Sequence, residues 1–363
     1  MKRYLAVFLA LLMLLGVLAG CRSGAGDSTE STPGPFIDQS HQSPEEQEVL
    51  KILTIGNSHS GDANNFLYEV FKKEAPEQKV VIGYLYYSGC NMAQHVKFMT
   101  ENAAEYIYYK NGNFDGAKAD GTWWRSDKDG TGKVTADVAL KDQQWDVVIL
   151  QQMSTYTGVT SGYSTAEFNA VIGYVEKYAG TDIKLAWNMT WTHPDEEAYL
   201  GGDKNLSTSA HEAWKNRHIK WYPSESNPSV YDQSVMYAKI VEQTKKFIED
   251  DTKFLGADKF SFVLPSATAV EHAQDVQKLT QAQVYRDYTH LSDYSRLMVS
   301  YLWYAKLMGK VSIDAIQISE IPAALHTAKS TYPSDLKITD QMKSDMIASV
   351  NWALANPYAL PAA

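Results

Sequence analysis

What most constrains this chain is an alternation of two apolar patterns. Nearly continuous apolar runs of strand length take turns with longer stretches whose apolar residues recur at helical spacing. The runs are Val49–Ile55 ("VLKILTI"), Lys79–Tyr87 ("KVVIGYLYY"), Asp146–Leu150 ("DVVIL"), one beginning at Ile183–Trp187, and Phe260–Leu264. Between and after them, helices are predicted at about Asp62–Ala75, Met92–Ala104, Thr165–Ala179, Asp293–Met308 and Asp340–Ala355. In the first, Phe66, Leu67, Val70 and Phe71 share one face. A strand without polar alternation must be covered on both faces, and helical crossovers join parallel strands. The pattern predicts a three-layer α/β/α domain around a central parallel sheet. Two inserts break the rhythm. Tyr106–Lys133 reads as a hairpin or long loop, and His193–Tyr231, rich in Trp, Asn, Ser and Pro, as irregular structure over the sheet.

Ahead of this domain the chain changes character. Lys2 and Arg3 precede an apolar stretch from Tyr4 to Val17, the layout of an export signal. Leu18-Ala19-Gly20-Cys21 resembles a bacterial lipobox, with residues 1–20 removed and Cys21 lipidated; the alternative is a plain signal peptide with a chance cysteine. No later run is long and apolar enough to span a bilayer. Residues 21–47 have linker composition, and a flexible coil of that length spans roughly 25–30 Å. The domain itself is predicted over 48–363. These readings imply an extracytoplasmic protein held to the membrane by lipid. With 43 acidic against 33 basic residues, the chain is a poor partner for nucleic acid. Lipidation of Cys21 leaves only Cys90, so stability must come from a core and not from an internal disulfide.

In open parallel sheets of the flavodoxin-like kind, ligands bind at the carboxyl ends of the strands. Gly56-Asn57-Ser58, Ser88-Gly89-Cys90, Gln151-Gln152 and Asn188 all fall there. A serine nucleophile needs a base to take its proton and a carboxylate to orient the base. Asp287 and His290, in "VYRDYTHLSDYSRL", are spaced to face one way across a single turn, which sets them against Ser58. The oxyanion then requires donors. Candidates are the Ser58 N–H, the N–H of Gly89, where no Cβ obstructs a ligand, and an amide from Gln151. The alternative for Ser58 is a helix-capping turn.

These residues resemble a known superfamily. Gly56-Asn57-Ser58 is similar to the Gly-Asp-Ser block of the SGNH (GDSL-type) hydrolases, and Gly89 and the late Asp-x-x-His match further blocks. "ILTIGNSHSGDA", "YYSGCNMAQHV", "WDVVILQQMS", "WNMTW" and "HLSDYSRLMVSYLWYAKLMGK" together resemble the bacterial SGNH-like domain-of-unknown-function family 4886, over about Lys51–Lys310. The resemblance implies Ser58 as nucleophile, His290 as general base, Asp287 as its orienter and Gly89 as an oxyanion donor. Gln151-Gln152-Met153-Ser154 departs from the superfamily's Gly-x-Asn-Asp and is closer to the Gln-Gly-Glu-Ser of its sugar-acetyl esterases. That leaves Gln151 or Gln152 as the third donor. Asn57 for Asp is a milder departure at a turn-supporting position. The implied protein is a cofactor-free lipoprotein esterase that removes O-acetyl or other short acyl groups from small or polymeric carbohydrate esters. The alternatives are a carbohydrate-binding or assembly lipoprotein of the same fold, and a lipase or thioesterase.

Other signals are weaker. Asp127–Val138 opens like a calcium loop, but Thr131 is a poor ligand and Val138 stands where a bidentate Glu belongs; a hairpin turn fits better. His193, Asp195, His211 and His218 show no ligand spacing and read as solvated loop residues, so no metal is expected. His59 and His95 read as satisfied, non-catalytic histidines. Trp123, Trp124, Trp187, Trp191 and Trp221 are candidate sugar-stacking platforms or packing residues. Cys90 reads as a small buried residue.

Overall fold

The computed structural model describes residues 49–113, 123–128, 132–194, 208–322 and 337–362. The expected signal segment, Cys21, the linker, Asp129, Thr131 and Asp195 lie outside them, as does the side chain of His211. Among the described residues no helix is long and apolar enough to cross a membrane.

The apolar runs become strands β1 (Val49–Gly56), β2 (Lys79–Tyr86), β5 (Val147–Leu150), β6 (Lys184–Asn188) and β7 (Phe260–Leu264). They form the parallel part of a sheet ordered β4-β3-β2-β1-β5-β6-β7. Strands β3 (Ile107–Gly112) and β4 (Trp124–Arg125) extend it antiparallel beyond β2, so the sheet is mixed and the first insert is an edge hairpin. Each parallel strand feeds both cores. Leu50 and Ile52 face one cluster, whereas Val49, Leu53 and Ile55 face the other. The first core is covered by α1 (Ser58–Asn64), α2 (Leu67–Glu74), α8 (Ser266–Asp275), α10 (Asp293–Leu307) and α11 (Asp340–Ala355). The second lies under α3 (Met92–Thr100), α4 (Ala136–Asp142) and α5 (Thr165–Ala179). This is the three-layer α/β/α architecture that the alternation predicts.

Two helical readings change. The segment read as one helix over Asp62–Ala75 is α1 and α2, because the first begins four residues earlier and closes at Asn65. The Asn65 N–H reaches back to the Asp62 carbonyl, and Phe66, fully buried, turns the chain into the core. The second insert also carries a helix, α6 (Thr208–Trp221), followed by α7 (Gln233–Thr244). Trp214 and Tyr222 belong to a third, smaller core with Met189, Tyr231 and Ile240. The short α9 (Gln281–Val284) then leads into the turn before α10.

Candidate active site

The site begins where β1 ends. A Cβ on Gly56 would lie 2.1 Å from Ser60 Oγ and 3.2 Å from Gln151 Cγ, so only glycine lets α1 start directly off the strand. Asn57 caps α1, its Oδ1 accepting from the His59 N–H at 3.0 Å. The Asn57 carbonyl accepts from Tyr84 OH at 2.5 Å and from the Gly61 N–H at 3.1 Å. Ser58 is thus the first helical residue and half-buried at the strand's mouth.

His290 arrives from the turn between α9 and α10. Its Nε2 lies 2.8 Å from Ser58 Oγ, and its Nδ1 lies 2.9 Å from both carboxylate oxygens of Asp287. Asp287 Oδ1 also accepts from the backbone N–H of Thr289 (3.0 Å) and of His290 (2.8 Å). Burial works against charge on Asp287. The His290 hydrogen bond and the nearby His290 and Arg286 outweigh it and hold the carboxyl below its ordinary range. A carboxylate on Nδ1 fixes that nitrogen as the donor and leaves Nε2 as the base facing the hydroxyl. The structure therefore brings Ser58, His290 and Asp287 together in the order a nucleophile requires.

The amides around the site form a directed chain. Trp303 Nε1 donates to Ser266 Oγ (3.1 Å), Ser266 to Asn188 Oδ1 (2.7 Å), and Asn188 Nδ2 to Gln151 Oε1 (3.0 Å). Gln151 Nε2 then donates to Asn57 Oδ1 (2.9 Å), and Asn57 Nδ2 to the Cys90 carbonyl (2.8 Å). Parallel register explains it: Ile55 pairs with Leu150 and Leu150 with Trp187, so the next residues of neighbouring strands stand in a row. This corrects the expected role of Gln151. Only 1 % exposed, its amide is committed to Asn57 and Asn188, and it supports the nucleophile's turn instead of facing an oxyanion. Gln152 does not take its place, since its carbonyl oxygen accepts from Met92 N and Met153 N and its amide donates to the Gly162 carbonyl. The chain also accounts for Asn at position 57, where one side chain must donate to a carbonyl and accept from two N–H groups.

Two of the expected donors remain, at the mouths of β1 and β2. Gly89 adopts φ +62°, which glycine tolerates at no steric cost, and its missing Cβ faces open space. Among the described residues no group accepts the N–H of Gly89 or of Ser58. The loop of Gly89 is tied to the nucleophile's turn through the Cys90 carbonyl and through the Tyr87 N–H to the Gly56 carbonyl at 3.1 Å. Cys90 itself is fully buried, and burial pushes its thiol well above the ordinary range.

A second polar cluster, illegible in the sequence, backs the triad. Thr289 Oγ1 lies 2.9 Å from His59 Nε2 and 2.9 Å from His193 Nε2. His193 Nε2 also meets Ser154 Oγ at 2.9 Å, while its Nδ1 meets His218 Nε2 at 2.5 Å. His218 Nδ1 donates to the Trp214 carbonyl at 2.8 Å. His193 and His218 are buried and not solvated, against expectation, and His59 is a buried, hydrogen-bonded histidine as expected. Burial, then the nearby His290, lowers His59 to about 3; burial lowers His218 to about 4 and His193 well below its ordinary value. All three are neutral around pH 7 and serve as hydrogen-bonding walls. Trp191 is fully buried and packs on His59 at 4.9 Å between ring centroids; Trp187 is equally buried, so neither offers a sugar platform. Trp123, Trp124 and Trp221 keep partial exposure. Among the described residues no cluster of His, Cys, Asp or Glu is arranged to hold a metal.

The model of a family described as a domain of unknown function, DUF4886, matches residues 51–330. A crystal structure of a DUF4886 family protein from Bacteroides uniformis is similar at 22 % identity and a TM-score of 0.60, covering 86 % of this chain and 97 % of that one. A protein from Slackia heliotrinireducens, provisionally described as an SGNH hydrolase, is more distant: 14 % identity, TM-score 0.40, 72 % of this chain and 99 % of that one. No curated protein matches the chain.

Proposed function

The chain belongs to the DUF4886 family, and on that premise we propose that it is a serine esterase of SGNH type working through an acyl-serine intermediate. The observation that carries this reading is the contact series Ser58 Oγ–His290 Nε2 (2.8 Å) and His290 Nδ1–Asp287 (2.9 Å) at the carboxyl end of β1. Ser58 Oγ attacks an ester carbonyl as His290 Nε2 takes its proton, and the Asp287 carboxylate stabilises the imidazolium. The N–H groups of Ser58 and Gly89 meet the oxyanion of the tetrahedral intermediate. Collapse expels the alcohol, protonated by His290. Water, deprotonated by the same nitrogen, then releases the acid and regenerates Ser58.

The acyl group is short in this proposal. His59, Thr289 and Trp191 crowd the site from one side, each buried, and Gln151–Ser154 resembles the corresponding block of sugar-acetyl esterases. The alcohol is assigned to a carbohydrate, with Trp123, Trp124 and Trp221 as stacking surfaces. The enzyme is further proposed to be exported and lipidated at Cys21, which the sequence of residues 2–21 supports. The test is hydrolysis of p-nitrophenyl acetate and of an acetylated oligosaccharide by wild type and Ser58→Ala. Turnover abolished by the substitution supports the proposal, and equal rates for the two proteins refute it.

A further inference from the structure

The nucleophile and its base lie 232 residues apart on different elements. One hydrogen bond between two half-buried side chains is too weak on its own to hold that register. Something else must fix the turn of His290 against the helix of Ser58. Asp62, on α1 four residues beyond Ser58, is 1 % exposed and faces that turn. Its Oδ1 accepts from Arg286 Nη1 and from Arg296 Nε, both at 2.8 Å, and its Oδ2 accepts from the Leu291 N–H at 2.9 Å. Arg286 Nη1 donates in addition to the Leu291 carbonyl at 2.6 Å. Arg286 and Leu291 bracket the Asp287–His290 turn, which is closed by the Arg286 N–H on the His290 carbonyl (3.0 Å) and by a bridge between Tyr285 and Leu291. A single carboxylate on the nucleophile's helix therefore grips both ends of the turn that carries the base.

We propose, resting on the hydrolase reading above, that Asp62 is a positioning residue whose ties to Arg286 and Leu291 set the Ser58–His290 contact. Charge makes the grip firm. Burial alone would neutralise the Asp62 carboxyl, but the Arg286 and Arg296 guanidiniums hold it well below the usual carboxylate range. The molecule also supplies a control for simple loss of charge. Asp293 accepts from Arg296 Nη1 at 2.8 Å within α10 and has no hydrogen bond to the 285–291 turn.

The experiment compares Asp62→Asn, Asp293→Asn and Arg286→Met with wild type. The readouts are kcat and KM on p-nitrophenyl acetate per folded molecule, and amide exchange at Leu291. Asp62→Asn is expected to lower kcat roughly 10²-fold at unchanged KM, the scale of a misplaced catalytic group, and to lose protection at Leu291. Arg286→Met, which leaves Asp62 paired with Arg296, removes both Nη1 bonds and also the cation 3.8 Å from Asp287, so its expected loss of kcat, roughly tenfold, is read together with lost protection at Leu291. Asp293→Asn is expected to lose stability while keeping kcat within about twofold and protecting Leu291. Wild-type kcat or wild-type protection at Leu291 in Arg286→Met, or an Asp293→Asn enzyme as slow as Asp62→Asn, overturns the proposal; if Asp62→Asn does not fold, Leu291 exchange in Arg286→Met decides. An inert wild type refutes the hydrolase reading instead, and the exchange arm still decides the clamp.

Discussion

Replacing Asn57 with Asp tests the amide chain behind the nucleophile. Asn57 is 1 % exposed, donates to the Cys90 carbonyl and accepts from His59 N and Gln151 Nε2, with no cation among those partners. An ionised carboxylate in its place loses the donor and leaves a buried carbonyl unpaired, at about 1–3 kcal/mol. Two hydrogen bonds to a charged acceptor are together stronger by about 2 kcal/mol, but desolvating the carboxylate costs several. The net expectation is a loss of about 2–4 kcal/mol above the pKa of the introduced carboxyl. Desolvation without a cation raises that pKa, and the protonated acid can again donate to the Cys90 carbonyl. Urea unfolding should therefore show the deficit at pH 8 and a partial recovery at pH 5 relative to wild type at each pH. Hydrolysis of p-nitrophenyl acetate should fall at pH 8 through displacement of Ser58. An Asn57→Asp protein as stable and as active as wild type at pH 8 would refute the reasoning.

Asp287→Asn should leave the fold intact and lower kcat by roughly 10³–10⁴, since the amide no longer fixes the His290 tautomer; circular dichroism and steady-state kinetics check it. The buried histidines make the fold acid-sensitive. Above about 6.5 neither state is protonated there, whereas below it the unfolded chain takes up protons that folded His59, His193 and His218 refuse. Stability is thus lost as pH falls from 7 to 5, by about 2 kcal/mol per histidine, which a declining urea midpoint would show. Glu271, raised to about 7 by burial, acts oppositely, because its stabilising proton is lost as pH rises through that value. Glu271→Gln should therefore steepen the acid decline. Cys90 should resist iodoacetamide in the native protein and react on unfolding, read by mass spectrometry.

The sequence revealed most where a residue's task is local. The buried strands are legible because each must be apolar on both faces, and β7 has the predicted bounds. Helix α1 is not: Ser58-His59-Ser60-Gly61-Asp62 has turn composition, and it is helical because Asn57 caps it and tertiary partners hold its carbonyl and carboxylate ends. Helix α6 is illegible because its buried Trp214 and His218 stand among charged and polar residues without an apolar stripe at helical spacing. At the site, Asp287 and His290 are three residues apart, so their contact follows from spacing alone. The commitment of Gln151 depends on the row of strand ends across β1, β5 and β6, and the Thr289–His59–His193 cluster on helix α1 and two separate loops. No local spacing encodes either.

The central claim concerns Ser58, and active-site labelling tests it most directly. A fluorophosphonate probe applied to the native protein, followed by peptide mapping, should place one phosphonyl group on Ser58. Labelling should vanish in His290→Ala while Ser154, Ser60 and Thr289 stay unmodified. Labelling at another residue, or none in a folded protein, would contradict the account.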